Sequence, residues 1–256
     1  MLSAQDWHAR FLQQAGWTAR LREYLLQRFD LARAHRILEV GCGTGVVCAA
    51  LGRQLAGQGG PGESTYGVDL RFDFLRLARQ ASPPTRLACG DGYCLPFRSR
   101  AFDAVYGHYL LLWIAEPLRM LAEMRRVTRP GGALLCMAEP DYGGRIDYPT
   151  ELASLGRWQA DALAGQGADP NVGRKLAGLL VQAGLNDVQY GVLGGEWNAG
   201  APEGGQEWQM IEHDLSGRVE PHRLAALRRS EQSARARGER VLFVPTFYAA
   251  GIVPEE

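Results

Sequence analysis

At 256 residues and zero formal net charge at pH 7, with 46% apolar and 22% charged residues, the chain has the make-up of one globular domain, or of one domain with an inserted cap. Neutrality gives no electrostatic pull toward nucleic acid or an acidic membrane, no 18-residue apolar run is available to cross a bilayer, and Asp6, His8 and Arg10 interrupt what would be a signal peptide. Five cysteines without C-x-x-C spacing (Cys42, Cys48, Cys89, Cys94 and Cys136) read as reduced thiols rather than disulfides or zinc ligands, which predicts a cytoplasmic protein.

Ser3 and Asp6 have the spacing of a helix-starting box, and Trp7, Phe11, Leu12 and Ala15 then line one helical face up to Gly16. Thr18 is placed to cap a second helix carrying Leu21, Tyr24 and Leu25. Ile37, Leu38 and Val40 read as a short parallel strand, apolar on both faces. Gly41, Gly43 and Gly45 follow at alternate positions, where the backbone can turn sharply and lie against a ligand, and helical spacing resumes from Val46 to Leu55. A strand, a glycine turn and a helix N-terminus make a nucleotide site at the carboxyl end of a sheet strand. A dinucleotide fingerprint needs glycine where Val46 stands, and a phosphate-binding loop needs G-K-[ST], whereas the only lysine is Lys175. Glu39, two residues before the first glycine, would repel a pyrophosphate and suits a cationic ligand.

A loop over 57–62 leads to a second strand, 64–69, with Asp69 at its carboxyl end. An acid there can accept both hydroxyls of a ribose; the competing reading is an N-cap for a helix from Phe72 to Gln80. Pro83-Pro84 stops that helix, Arg86 to Asp91 is a third strand, and Asp91-Gly92 by itself is a surface turn. The fourth strand spans 101–108 and a helix spans 117–128, with Leu118, Leu121, Met124 and Val127 at helical spacing. Arg119, Arg125 and Arg126 on that helix read as a solvated face. Arg129 to Gly132 is a turn, and 133–138 is a fifth strand.

Taken in order, Glu39-x-Gly41-x-Gly43-x-Gly45, Asp69, Asp91 and the run from Phe102 to the Pro130-Gly131-Gly132 turn resemble the class I methyltransferases that use S-adenosylmethionine (SAM), over residues 36–138. The resemblance implies an α/β fold: a Rossmann-like, seven-stranded, mostly parallel sheet with helices on both faces, here in a single domain with an inserted helical cap. It implies SAM as cofactor and S-adenosylhomocysteine as product. It assigns cofactor binding to Glu39, Gly41, Cys42, Gly43, Gly45, Asp69, Leu70, Asp91, Gly92 and His108, with Asp69 at the ribose and Asp91 at the adenine amine. Residues 1–30 would form a helical flap over the cofactor, the alternative being that Trp7 and Phe11 simply pack on the sheet.

Past residue 138 the resemblance thins. Leu152, Leu155 and Trp158 suggest a helix, a second helix is expected over 172–183, a sixth strand over 187–192, and the last strand within Val241 to Val253. The excursions 139–170 and 193–238 are expected to form a substrate cap, carrying Trp197, Trp208, Met210, Ile211 and His213. The arginines of a helix from Pro221 to Arg237 read as a solvated face. Tyr106-Gly107-His108-Tyr109 replaces the N-P-P-Y that holds a planar amine in adenine, cytosine and glutamine methylases, and no trio of carboxylates for a metal is evident. These features favour a small organic acceptor, methylated on oxygen, nitrogen or carbon, with no nucleic acid, membrane or metal involved. His108, at the end of the fourth strand, is the candidate general base, with packing or cofactor contact as its other reading. The rival functions are an RNA or protein methyltransferase and a non-catalytic SAM-binding subunit; an NAD oxidoreductase is disfavoured by Val46. Trp197, Trp208, Met210 and His213 suit an aromatic or lipid-like acceptor.

Overall fold

The structure, a computed structural model, describes residues 2–57, 65–81, 86–194 and 205–255. Pro83-Pro84, Trp197 and nearly all of the loop expected over 57–62 lie outside the described residues.

Helix α1 (Ala4–Trp17) opens on a reciprocal box in which the Asp6 N–H donates to Ser3 Oγ (3.2 Å) and the Ser3 N–H to Asp6 Oδ2 (2.8 Å). It runs through Gly16 instead of ending there, and Thr18 caps nothing with its side chain; the buried hydroxyl donates back to the Gln14 carbonyl (3.0 Å). Helix α2 (Ala19–Arg28) buries Leu21, Leu25 and Leu26. The chain then alternates: β1 (Ile37–Val40), α3 (Val46–Gly57), β2 (Thr65–Asp69), α4 (Phe72–Ala81), β3 (Arg86–Cys89), β4 (Phe102–His108), α5 (Pro117–Val127) and β5 (Thr128–Pro140). Strand β5 absorbs the expected 129–132 turn. Arg126 is not a solvated residue of α5; its guanidinium donates to Glu123 and to the carbonyls of Leu95 and Phe97, pinning the 95–97 loop.

Beyond β5 come β6 (Ile146–Tyr148), α6 (Ala153–Gly165), α7 (Leu176–Gln182), β7 (Asn186–Leu193), α8 (Gly205–Leu215), α9 (Pro221–Ala236), β8 (Val241–Phe243) and β9 (Thr246–Ile252). Residues 146–148 pair antiparallel with β8 in a two-stranded sheet. The expected last strand therefore splits at Pro245, which has no N–H to continue a ladder. The main sheet has the order β3-β2-β1-β4-β5-β9-β7, with β9 antiparallel to both neighbours and the other pairings parallel. Strand order reverses between β1 and β4, the place where open α/β sheets bind ligands.

Alternation along β1 sends Leu38 and Val40 into a core with α5 and α7, and Ile37 into another with α2 and α3. A third cluster stands apart: Leu152, Leu155 and Ala162 pack on Trp208, Ile211, Leu215 and Leu224. At roughly 1.5–3 kcal/mol for each large apolar side chain buried, this cluster contributes to holding α6, α8 and α9 together.

Candidate functional site

Gly41, Gly43 and Gly45 all have positive φ (71°, 53° and 74°), so the turn after β1 follows a path that side chains rarely allow. A Cβ at Gly43 would lie 2.8 Å from Phe11 Cε2, and one at Gly41 2.7 Å from Leu110 Cδ1. Helix α1 thus lies directly on the glycine turn, with Phe11 packed edge-on against Phe74 (5.6 Å) and His8 Nδ1 hydrogen-bonded to Thr44 Oγ1 (2.8 Å). Asp69 ties the turn to β2: Oδ2 accepts the Gly43 N–H (2.7 Å) and Oδ1 the Arg71 N–H (2.8 Å). Each oxygen keeps a second lone pair. Burial raises the Asp69 carboxyl above its ordinary range, against those two bonds.

Parallel register places Glu39 opposite Gly67 on one side and Tyr106 on the other. Its buried carboxylate accepts from Tyr106 Oη (3.0 Å), and burial pushes its pKa up to about 7. His108, at the end of β4, is bonded through Nε2 to Thr18 Oγ1 (2.9 Å). Arg22 donates to the same hydroxyl (2.8 Å) and to the Ala15 carbonyl (2.7 Å). Burial and the Arg22 charge lower the His108 pKa to about 3, which keeps the ring neutral.

Across the sheet, β5 and β9 slip register between Cys136 and Glu139, and Ala138 takes a φ of 64°. This bulge turns the Glu139 carboxylate inward. There it accepts the N–H groups of Leu110 (2.8 Å), Leu111 (2.9 Å) and Leu112 (3.2 Å), fixing the turn after β4. Burial pushes Glu139 up to about 7 in spite of these bonds.

A cavity of about 1090 Å³ runs from the glycine turn to the cap. Of the expected cofactor residues, Glu39, Gly41, Cys42, Gly43, Asp69 and His108 line it. Gly45, Leu70, Asp91 and Gly92 do not. A Cβ at Gly45 would lie 3.0 Å from Ala78 Cβ, a Cβ at Gly92 would meet Met120, and Leu70 is 71% exposed. Asp91 is exposed and closes on itself, accepting the Tyr93 N–H (2.9 Å) as an Asp-Gly surface turn does. Tyr142 and His213 line the cavity, while Tyr148 and Tyr190 are exposed.

The cap side is charged. Arg145 bonds Asp147 (2.7 Å) and Gln159 (2.6 Å), and Arg240 bonds Asp147 (2.9 Å) and Glu231 (3.3 Å), with all four charged side chains under 5% exposed. Arg235 joins Glu231 (2.8 Å), which also accepts from the Trp208 indole. Of the arginines expected as a solvated face, Arg235 therefore points inward, and Arg223 lies over the Trp158 ring (4.5 Å). The spacing of Glu207, Met210 and Asp214 along α8 could have flagged a cavity-facing stripe, but nothing local marked Arg145 or Glu139.

Residues 38–136 match the family described as "Methyltransferase domain". Over 184 residues the chain is 31% identical to an uncharacterised 37.1 kDa protein in transposon Tn4556 of Streptomyces fradiae, covering 68% of this chain and 51% of that protein. It is 30% identical over 130 residues to the demethylmenaquinone methyltransferase of Renibacterium salmoninarum, covering 50% of this chain and 52% of that enzyme. The chain spans about half the length of the curated relatives it matches. Among solved structures, phosphoethanolamine N-methyltransferase 2 of Haemonchus contortus in complex with S-adenosyl-L-methionine shares the fold at a TM-score of 0.57 and 15% identity, over 92% of this chain and 53% of that one.

Proposed function

From the premise that residues 38–136 form a class I SAM-dependent methyltransferase domain, we propose that the protein transfers a methyl group from SAM to a small organic acceptor held under the cap. One observation carries this reading: the wall made by Gly41, Gly43 and Asp69 and the wall made by the cap enclose a single cavity. Its volume of about 1090 Å³ stands at the upper end of ligand pockets, which run to roughly 1,000 Å³.

The residues fit the cofactor. Glycines of positive φ let the chain approach it closely, Asp69 keeps a free lone pair on each oxygen for ribose hydroxyls, and Glu39 offers an acid to a cation. Bound SAM supplies the methyl group on a sulfonium whose charge disappears in the transfer. The protein's work is then alignment and exclusion of water. Trp7, Phe11 and Trp17 of α1 supply the exclusion as a flap over the glycine turn. A pKa of about 3 makes His108 a weak base at neutral pH, so we assign it to the cavity wall, where Thr18 orients its ring.

The test pairs binding with turnover. Calorimetry is expected to show heat with S-adenosylhomocysteine and none comparable with NAD. Methyl-tritiated SAM incubated with the protein and a cell extract is expected to label the low-molecular-weight fraction. Label in RNA or protein would overturn the small-acceptor assignment, and binding without label in any fraction would favour the non-catalytic subunit.

A further inference from the structure

The cap end of the cavity restricts what the acceptor can be, given the methyl-transfer reading above. Helix α8 turns Glu207, Met210 and Asp214 toward the cavity, on one face by their spacing. The nearby guanidiniums are committed: Arg145 to Asp147 and Gln159, Arg235 to Glu231, and Arg240 to Asp147, Glu231 and the Tyr148 carbonyl. Arg10 of α1 donates to Gln13 (2.6 Å) and lies over the Trp17 ring (4.9 Å).

The acids are not committed in the same way. Glu207 lines the cavity and has no hydrogen-bond partner among the described residues; burial raises its carboxyl against the opposing charges of Arg145, Arg10 and Arg240. Asp214 accepts one bond, from Gln159 Nε2 (3.0 Å), and burial raises it as well. The Tyr142 hydroxyl, in the same wall, also lacks a partner among the described residues, and both acids are near enough to raise it further. Two carboxylates and a phenol with unused acceptor capacity thus face a cavity whose other walls include Trp7, Phe11 and Trp17.

We propose that the acceptor carries a protonated aliphatic amine, which docks against Glu207, Asp214 and Tyr142 while its apolar body lies along the aromatic side chains of α1. A primary ammonium brings three donors and no acceptor, the complement of this corner. A carboxylate or phosphate would set lone pairs against lone pairs. A neutral hydroxyl brings one donor and no charge, and it gains nothing from the aromatic faces that attract a cation.

Three probes of one shape test this on the full chain loaded with S-adenosylhomocysteine: tryptamine, its alcohol counterpart tryptophol, and indole-3-acetate. Tryptamine is expected to bind at least about tenfold tighter than tryptophol, as charge-assisted bonds are the stronger ones, and indole-3-acetate to bind weakest. Glu207→Gln should erase the amine preference and Asp214→Asn should reduce it, with S-adenosylhomocysteine affinity kept in both. Equal binding of the three probes, binding of none, or an amine preference that survives both substitutions overturns the amine site. Absence of S-adenosylhomocysteine binding overturns the methyl-transfer reading instead, and the same titrations on the unloaded protein then still decide the amine site.

Discussion

On the sheet side, Asp69 and Glu139 are satisfied by main-chain N–H groups, Asp69 by Gly43 and Arg71, Glu139 by Leu110, Leu111 and Leu112. On the cap side Asp147 and Glu231 are satisfied by guanidiniums, held between Arg145, Arg240 and Arg235. The first arrangement locks the path of the chain, and at Asp69 it leaves lone pairs for a ligand. The second locks elements to one another across nearly a hundred residues of sequence. Strand-end geometry therefore sets the glycine-turn wall, whereas the cap wall is tied by a few long-range ion pairs.

Breaking the cap network is expected to have the largest effect. Asp147→Ala leaves two nearly buried guanidiniums short of a partner, a change that costs about 3–5 kcal/mol when a buried pair is broken from one side. Hydrogen exchange should then show lost protection in 153–165 and 205–236 while β1, β4 and β5 keep theirs. Uniform loss across the sheet would mean that cap and sheet form one cooperative unit. Glu139→Ala is the counterpart on the sheet side. It orphans three N–H groups and should cost about 3 kcal/mol in urea unfolding, with fast exchange at 110–112. Glu139→Gln keeps an acceptor oxygen and should fall between; a Gln variant as unstable as Ala would show that charge, not hydrogen bonding, holds that turn.

The same contrast explains what could be read from the sequence. The strand at 37–40, the glycine turn, Asp69 and the helix at 117–127 were legible because each is set by residues within a few positions of one another. Thr18 misled: a residue of helix-capping type turned out to bridge Arg22 and His108, a role fixed by how α1 docks on the sheet. Glu139 was invisible because its direction depends on a bulge at Ala138, and alanine carries no signal for a positive φ. The β6–β8 pair joins residues 146–148 to 241–243, and neither strand has enough residues to show alternation. Phe11 lies on Gly43, so a side chain at 43 would collide with α1.

Asp69→Ala probes the cofactor wall itself. It should weaken S-adenosylhomocysteine binding by about 1.5–3 kcal/mol, the range for hydrogen bonds to a charged group, in a protein that still folds. Calorimetry reads this directly, and unchanged affinity would remove Asp69 from the ribose role.

The smallest effect, a change of slope, comes from Glu39. Its folded pKa, raised to about 7 by burial, lies above the roughly 4.3 of a free glutamate, so the folded state holds the proton more tightly than the unfolded chain. The stability this proton contributes is fully present below the unfolded pKa and is lost as pH rises through about 7. One proton is worth at most about 1.4 kcal/mol per pH unit, so between about pH 5.5 and 6.5 the wild type should lose about 1 kcal/mol on this account. Glu139, Asp69, Glu207 and Asp214 are raised too and tilt the curve in the same direction, so the total slope cannot be assigned to Glu39. The difference between wild type and Glu39→Gln removes their shared part. That difference should shift toward the variant as pH rises, measured by urea unfolding at closely spaced pH values. A cationic ligand on the glycine turn would favour the ionised form and flatten the wild-type slope. Saturating the protein with SAM, which carries the sulfonium, should therefore shrink the difference more than S-adenosylhomocysteine, which lacks it. Equal effects of the two would separate Glu39 from the charge of the cofactor and leave it as a hydrogen-bonded partner of Tyr106.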